Sequence, residues 1–179
     1  YDGGQTPYTD AGIAAYAHYA TSLLAHYPQI KTLEVWNEYN GSFAKGPATQ
    51  DRAGTYTRML RATYDAVKAI RPDVIVVGGA TAGVPLPYLE KIFAAGGLAK
   101  LDAVSIHPYR TDFSPEGLED QIAALRALMS RYGGGDKPIW VTEIGWGVRP
   151  PAANGDIDID EDTQAAFLVR AGALLVSAG

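Results

Sequence analysis

The chain has 179 residues, of which 47% are apolar and 20% charged; this is an ordinary balance for a globular domain and excludes extensive disorder. The net charge of −5, with no basic stripe, argues against nucleic acid as a partner, and no apolar run is long enough to predict a membrane span. The absence of cysteine excludes disulfides and thiolate metal sites. The three histidines lack metal-ligand spacing, so we predict neither a metal nor a cofactor.

The first half of the chain alternates helical and strand patterns. Apolar side chains follow helical spacing over residues 10–27, where Thr9 or Asp10 can cap the helix and Pro28 ends it. A strand is predicted over 31–37 and a second helix over about 50–71. A wholly apolar strand over 74–79 indicates a parallel sheet that is covered on both faces.

The second half continues the same alternation. A helix that begins at Pro87 and ends at Gly96 and Gly97 is followed by a strand over 102–107. Ser114 and Pro115 are predicted to cap and start the next helix, and a strand follows over 138–142. Asp160 or Asp162 opens the last helix. The acidic run over 156–162 lacks the glycine and the glutamate of a calcium loop, so it is predicted to be solvated.

Helices and strands alternate strictly, and each connection between strands is long enough to hold a helix. This order predicts parallel strands joined by right-handed β-α-β units, in one domain over residues 1–179. Doubly wound sheets and (β/α)₈ barrels both fit this order. Polar side chains end three of the four strands, at Asn37 and Glu38, at His107 and at Glu143. Active sites of (β/α)₈ barrels gather at the carboxyl ends of several strands, so we predict a barrel.

Two short segments carry the chemistry, Trp36-Asn37-Glu38-Tyr39-Asn40 and Val141-Thr142-Glu143-Ile144-Gly145-Trp146. Each places a carboxylate at the end of a strand, beside apolar rings and polar side chains, and this setting suits acid–base or nucleophilic work. Paired carboxylates that flank a sugar are the usual means of breaking a glycosidic bond. Glu38 and Glu143 are therefore the candidate catalytic residues.

The stretches Val-Trp-Asn-Glu and Ser-Ile-His-Pro-Tyr-Arg resemble clan A glycoside hydrolases, which are retaining (β/α)₈ enzymes, and most of all family 39 and its bacterial exopolysaccharide-degrading relatives. The resemblance implies that Glu38 is the general acid/base and Glu143 the nucleophile. It also implies that Asn37 contacts the sugar 2-hydroxyl, and that His107 and Tyr109 line the sugar site. Because sugar faces stack on aromatic rings, Trp36 and Trp146 are further candidates for binding a carbohydrate substrate.

The same resemblance covers only part of a barrel. The four predicted strands correspond to strands four to seven, so we expect a partial barrel whose partners are the remaining barrel segments of the parent protein. The arginine of the second strand and the tryptophan of the eighth have no counterpart here, and Tyr39 stands where many members have proline. We expect the strands over 31–37 and 138–143 to be sheet edges, whose inward faces, including Trp36, Ile139 and Val141, are exposed. We also expect a chain that is weakly active or inactive alone. The resemblance favours a secreted or periplasmic location, which the sequence does not specify.

Two alternatives stay open at this point. A non-catalytic carbohydrate-binding or scaffold fragment would keep the cleft without turnover. A different barrel enzyme would need a Schiff-base lysine at a strand end or a cluster of histidine and aspartate, and no predicted strand supplies either. For a retaining glycosidase the carboxyl groups of Glu38 and Glu143 should lie about 5–5.5 Å apart, whereas about 9 Å would favour inversion.

Overall fold

Four parallel strands form one sheet in the computed structural model, which describes residues 2–110, 114–148 and 159–179. The strands lie in sequence order and each is hydrogen-bonded to the next: β1 (Thr32–Glu34), β2 (Ile75–Ala82), β3 (Ala103–His107) and β4 (Ile139–Val141). The helices are α1 (Asp10–His26), α2 (Arg52–Ile70), α3 (Leu86–Ala94), α4 (Leu118–Arg131) and α5 (Glu161–Ser177). Within the described residues, no helix is both long and apolar enough to cross a membrane.

The helices form a single row along one face of the sheet. Each packs on the next, from α1 to α5, and together with the strands they enclose the main core, which includes Leu60, Val76, Val104, Ile106 and Leu125. A doubly wound sheet carries helices on both faces, so packing on one side is the arrangement of a (β/α) barrel. Because side chains alternate along a strand, Glu34, His107 and Thr142 lie on the opposite face.

That opposite face is concave. Thr142 follows β4 and Glu34 ends β1, at opposite edges of the sheet, yet the Thr142 hydroxyl donates a hydrogen bond of 2.9 Å to Glu34 Oε1. Three interstrand steps of about 4.8 Å would separate the two strands by about 14 Å in a flat sheet, so the sheet must curl strongly. The predicted partial barrel is confirmed: the described residues hold four strands, and β1 and β4 are the edges of their sheet.

Three boundaries differ from the prediction. β1 ends at Glu34 because Trp36 (φ 65°) and Glu38 (φ 42°) adopt left-handed backbone conformations that no regular strand contains. β2 runs on to Ala82 because a bulge between Gly78 and Thr81 lets its pairing with β3 resume. α4 begins at Leu118 and not at Ser114 and Pro115, because Gly117 (φ 86°) breaks the helical conformation just before it.

The predicted caps of α1 and α5 are confirmed. The Thr9 hydroxyl accepts the amide of Gly12 at the start of α1, and the Asp160 carboxylate accepts the amide of Thr163 at the start of α5. These contacts satisfy amides that have no partner within the helix. The first part of the acidic run, residues 156–158, lies outside the described residues.

One expectation about the edge strands was wrong. Ile139 and Val141 were predicted to face into the barrel, but both pack toward the helices. They line an open apolar groove of about 330 Å³ with Ile122, Leu175, Val176 and neighbouring glycines. The alternation of β4 therefore turns Thr142, and not Val141, to the concave face.

A cluster of charges at the amino end of the sheet ties two loops together. The Arg71 guanidinium donates to the carbonyls of Leu24 and Ile30 and to the Asp73 carboxylate, which also pairs with Lys31 at 2.9 Å. The hydrogen bonds from Arg71 and then Lys31 hold the pKa of Asp73 well below its usual range.

We expect Asp73→Asn to lower the melting temperature by a few degrees at pH 7. A depressed pKa stabilises the fold above about pH 4, the unfolded value, and this stability is lost as the pH falls through the folded pKa. The difference between the wild type and the variant should therefore shrink below about pH 4 in thermal melts. Asp65→Asn, which removes one exposed pair with Lys100, is the control and should change the melting temperature less. An equal loss in both variants would contradict this account.

Candidate active site

The segment after β1 holds its irregular shape through a bulge in β2. The amide of Glu38 donates a 2.6 Å hydrogen bond to the carbonyl of Ala80, and the amide of Ala80 donates to the Ser105 hydroxyl at 2.8 Å. Gly79 has φ 115°, and a Cβ there would lie 2.4 Å from the carbonyl oxygen of Ser105, so only glycine fits. The bulge thus supplies the carbonyl that fixes the backbone of Glu38.

Two tyrosine hydroxyls and one amide side chain support this segment from below. The buried Tyr56 hydroxyl donates to the carbonyl of Val35 and accepts the amide of Gly79 at 2.7 Å. The amide of Trp36 donates to the Tyr16 hydroxyl. Asn40 pairs with both backbone groups of Ala82, as another strand would. Burial raises the pKa of Tyr16 and Tyr56, so both hydroxyls keep their protons at neutral pH.

The three polar strand ends meet on the concave face. His107 Nδ1 lies 3.2 Å from Glu38 Oε1 and 3.7 Å from Glu143 Oε2. One oxygen of Glu38 and one of Glu143 lie within 4.8 Å of each other and of the ring. The Tyr109 hydroxyl donates a 3.1 Å hydrogen bond to Glu143 Oε2. The side chains that end β3 and β4 are therefore in contact, and β3 lies directly beside β4.

The four side chains differ in their access to solvent. His107 is fully buried, Glu38 has 19% of its side chain exposed, and Glu143 has 43% exposed. The Tyr109 ring is 46% exposed at the rim. Partial removal from water raises the pKa of Tyr109, and the hydrogen bond to Glu143 raises it further, so the phenol remains a donor. A ligand can therefore reach both carboxylates from the same open side.

Two of the three other predicted substrate contacts are only half-buried. Trp36 is half-buried, packs on the rings of Tyr16 and Tyr39, and donates its indole N–H to the carbonyl of Phe43. Asn37 is half-buried between Trp36 and Glu38. Both residues keep part of their surface open to solvent.

Trp146 does not fit the predicted stacking role. Only 3% of its surface is exposed, and its ring packs edge-on against Phe167 of α5, within a small core that includes Leu118 and Ile159. A ring that is covered on this scale cannot offer a face to a sugar. The prediction is corrected accordingly: in this structure Trp146 packs α5 against the end of β4.

Two further residues belong to this cluster and were not predicted as site residues. His107 Nε2 lies 3.1 Å from the Thr142 hydroxyl, which in turn donates to Glu34. Thr142 follows Val141, which packs toward the helices, so the strand alternation turns Thr142 to the concave face, and this was the signal available in the sequence.

The donor atoms of Glu38, His107 and Glu143 are close enough to share a cation. Each of these groups already has a protein partner, since the imidazole contacts both carboxylates and Tyr109 donates to Glu143. The expectation that the site needs no metal stays a prediction.

A curled parallel sheet, a row of helices on its convex face and two carboxylates at the carboxyl ends of its strands define a partial (β/α)₈ barrel of the glycosidase class. The chain belongs to the family described as glycosyl hydrolase catalytic core, which it matches over residues 11–176. A comparison with curated proteins gave no match.

Several solved structures share the fold. A family 39 glycoside hydrolase from the gut symbiont Bacteroides cellulosilyticus WH2 is 24% identical with a TM-score of 0.70, over 94% of this chain and 35% of that one. A family 39 β-xylosidase from Caulobacter crescentus is 22% identical with a TM-score of 0.65, over 96% and 38%. The family 53 catalytic domain of Ignisphaera aggregans is 21% identical with a TM-score of 0.65, over 93% and 50%. The chain thus spans a third to a half of the length of these barrels.

Proposed function

We propose that this chain carries the catalytic pair of a retaining O-glycoside hydrolase that acts on an oligo- or polysaccharide. The observation that carries the proposal is the separation of Glu38 and Glu143, whose oxygens approach within 4.8 Å. Inverting enzymes need about 6.5–9.5 Å between the carboxyl groups, to leave room for a water molecule, whereas retaining enzymes use about 5–5.5 Å. The approach of one oxygen from each group to within 4.8 Å is nearer to the retaining arrangement than to the inverting one, so direct attack by one carboxylate is the chemistry it supports.

The surroundings of the two carboxylates support different roles. Glu143 is more exposed and accepts a hydrogen bond from the Tyr109 hydroxyl on Oε2, which leaves its other oxygen to attack the anomeric carbon. Glu38 is more enclosed and lies against His107, so it suits the acid that protonates the leaving oxygen. Glu38, as a carboxylate, would then take a proton from the water that hydrolyses the glycosyl-enzyme. Asn37 and Tyr109 are proposed to contact the sugar, with Trp36 at the side of the cleft.

We also propose that further barrel strands cover β1 and β4 in the full protein. Both strands are open edges, and the groove beside β4 continues into α5, where Val169 is 74% and Val176 85% exposed. Exposed apolar surface of this kind is typical of an interface with another part of a protein. In the competing interpretation, a binding fragment without turnover, the same surface would be covered but no glycoside would be cleaved.

The proposal is tested by following the hydrolysis of aryl glycosides with the full protein, first by release of the phenol and then by ¹H NMR of the anomeric proton. We expect release of the phenol, with the first product formed in the same anomeric configuration as the substrate. A product of opposite configuration would contradict the roles given to the carboxylates. Binding of an oligosaccharide with no release of phenol from any glycoside in a broad panel would favour the non-catalytic fragment.

A further inference from the structure

A chain of hydrogen bonds runs along the concave face from Glu34 to the candidate acid. Glu34 Oε1 accepts the Thr142 hydroxyl at 2.9 Å, the Thr142 oxygen lies 3.1 Å from His107 Nε2, and His107 Nδ1 lies 3.2 Å from Glu38 Oε1. The chain links both edge strands through the central β3 and ends at the proposed catalytic pair.

The hydrogen bond between Thr142 and Glu34 decides which atom donates in each of the other hydrogen bonds. An ionised carboxylate has no proton to give, so Thr142 must use its single hydroxyl proton toward Glu34. The Thr142 oxygen can then only accept from His107. Nε2 must therefore carry a proton, since a neutral imidazole has one donor and one acceptor nitrogen and its partners decide which is which.

The state of Nδ1 follows from this. The charged and titratable groups around the ring are Glu38 and Glu143 at Nδ1, Tyr109 through Glu143, and Glu34 through Thr142. With Nε2 protonated, one further proton is shared between Nδ1 and Glu38. Loss of that proton leaves a bare nitrogen lone pair against two carboxylates, which is unfavourable. The proton needed for acid catalysis is thus held between Nδ1 and Glu38.

We propose that Glu34 and Thr142 are positioning residues that hold His107 in the Nε2–H tautomer and thereby keep the acid proton on the pair of Glu38 and His107. The effect on catalysis rests on the glycosidase function proposed above, whereas the tautomer does not. Neither residue needs to touch the substrate, because both act through the ring of His107.

Two variants of matched shape break the chain at different links. In Glu34→Gln the new amide can donate to Thr142, which lets the hydroxyl donate to Nε2 and moves the ring proton to Nδ1. In Thr142→Val the acceptor for Nε2 is lost, and the Nδ1–H tautomer gains by donating to Glu38 and Glu143. Thr142→Ser keeps the hydroxyl and is the control.

In the full protein we expect both variants to move the basic limb of the kcat/KM profile to lower pH by about one unit, because the deprotonated acid gains a hydrogen bond. Activity well above the midpoint of the basic limb should fall about tenfold, and Thr142→Ser should stay close to the wild type. Profiles in which neither Glu34→Gln nor Thr142→Val moves the basic limb would contradict the positioning role.

A readout independent of activity is the ¹⁵N NMR spectrum of the histidine side chains, which are only three in this chain. We expect His107 as the Nε2–H tautomer in the wild type and in Thr142→Ser, and as the Nδ1–H tautomer in the other two variants. An Nδ1–H wild type would overturn the inference. If the full protein cleaves no glycoside but shows the tautomer switch, the positioning of His107 by Glu34 and Thr142 is supported and only the proposed function fails.

Discussion

Replacing Glu143 by Gln in the full protein should lower kcat/KM by about 10⁴-fold or more on every glycoside that the protein cleaves. Glutamine keeps the shape of the side chain and can still accept from Tyr109, but its neutral amide cannot form the glycosyl-enzyme. The loss should be the same for good and poor leaving groups, because the attacking group is needed whatever departs. Steady-state rates with aryl glycosides of graded leaving-group acidity measure this directly.

The matched control is Glu90→Gln on α3, whose carboxylate lies beside Arg131 and Tyr132 away from the cleft. This variant should keep the wild-type rate. A Glu143→Gln variant that retains more than about a hundredth of the activity would rule out Glu143 as the nucleophile, because loss of a nucleophile costs far more.

Replacing Glu38 by Gln should give a different pattern. With a poor leaving group, kcat/KM should fall about 10²–10⁴-fold, because the departing oxygen is no longer protonated. With a dinitrophenyl leaving group, which needs no proton, kcat/KM should stay near the wild-type value. The glycosyl-enzyme should then accumulate because the base for the second step is missing, so kcat and KM fall together and a burst of phenol is seen.

A uniform loss across all leaving groups would contradict the acid role of Glu38 and would assign it to binding or to structure. The two glutamates are thus distinguished by leaving-group dependence alone, without knowledge of the natural sugar. The comparison also checks the assignment of roles, because an exchange of the two patterns would exchange nucleophile and acid.

Much of the fold follows from patterns that are local in the sequence. Helical spacing and caps such as Thr9 and Asp160 located the helices, and the alternation of elements predicted the parallel sheet. Boundaries were wrong where the backbone leaves regular conformations, at Trp36, Glu38 and Gly117. At the two non-glycine residues such a conformation costs of order 1–3 kcal/mol and persists only when the surroundings impose it.

The surroundings that impose it are distant in the chain. Glu38 depends on the carbonyl of Ala80, and the bulge that presents this carbonyl depends on Tyr56 and Ser105. The sequence near residue 38 does not predict these contacts. Trp146 shows the converse error, since its position after a catalytic strand indicated a binding role, whereas packing by α5 decided its environment.

The site could be predicted to the level of which residues meet, but not how they are linked. Strand ends carrying Glu38, His107 and Glu143 had to converge once the sheet was parallel, and they do. The hydrogen bonds from His107 through Thr142 to Glu34 need the curl of the sheet, which brings side chains on its opposite edges into contact. Curvature is a property of the assembled strands and has no local pattern in the sequence.

The measurement that tests the central claim most directly is the trapping of the glycosyl-enzyme. Aryl 2-deoxy-2-fluoro glycosides with dinitrophenyl leaving groups should inactivate the full protein, because fluorine slows both steps and the leaving group restores only the first. Mass spectrometry of the intact protein should show the mass of one fluorosugar, and peptide mapping should place it on Glu143. A label on Glu38, or hydrolysis of the parent glycosides without any label from the matching fluorosugars, would contradict the roles assigned to the two glutamates.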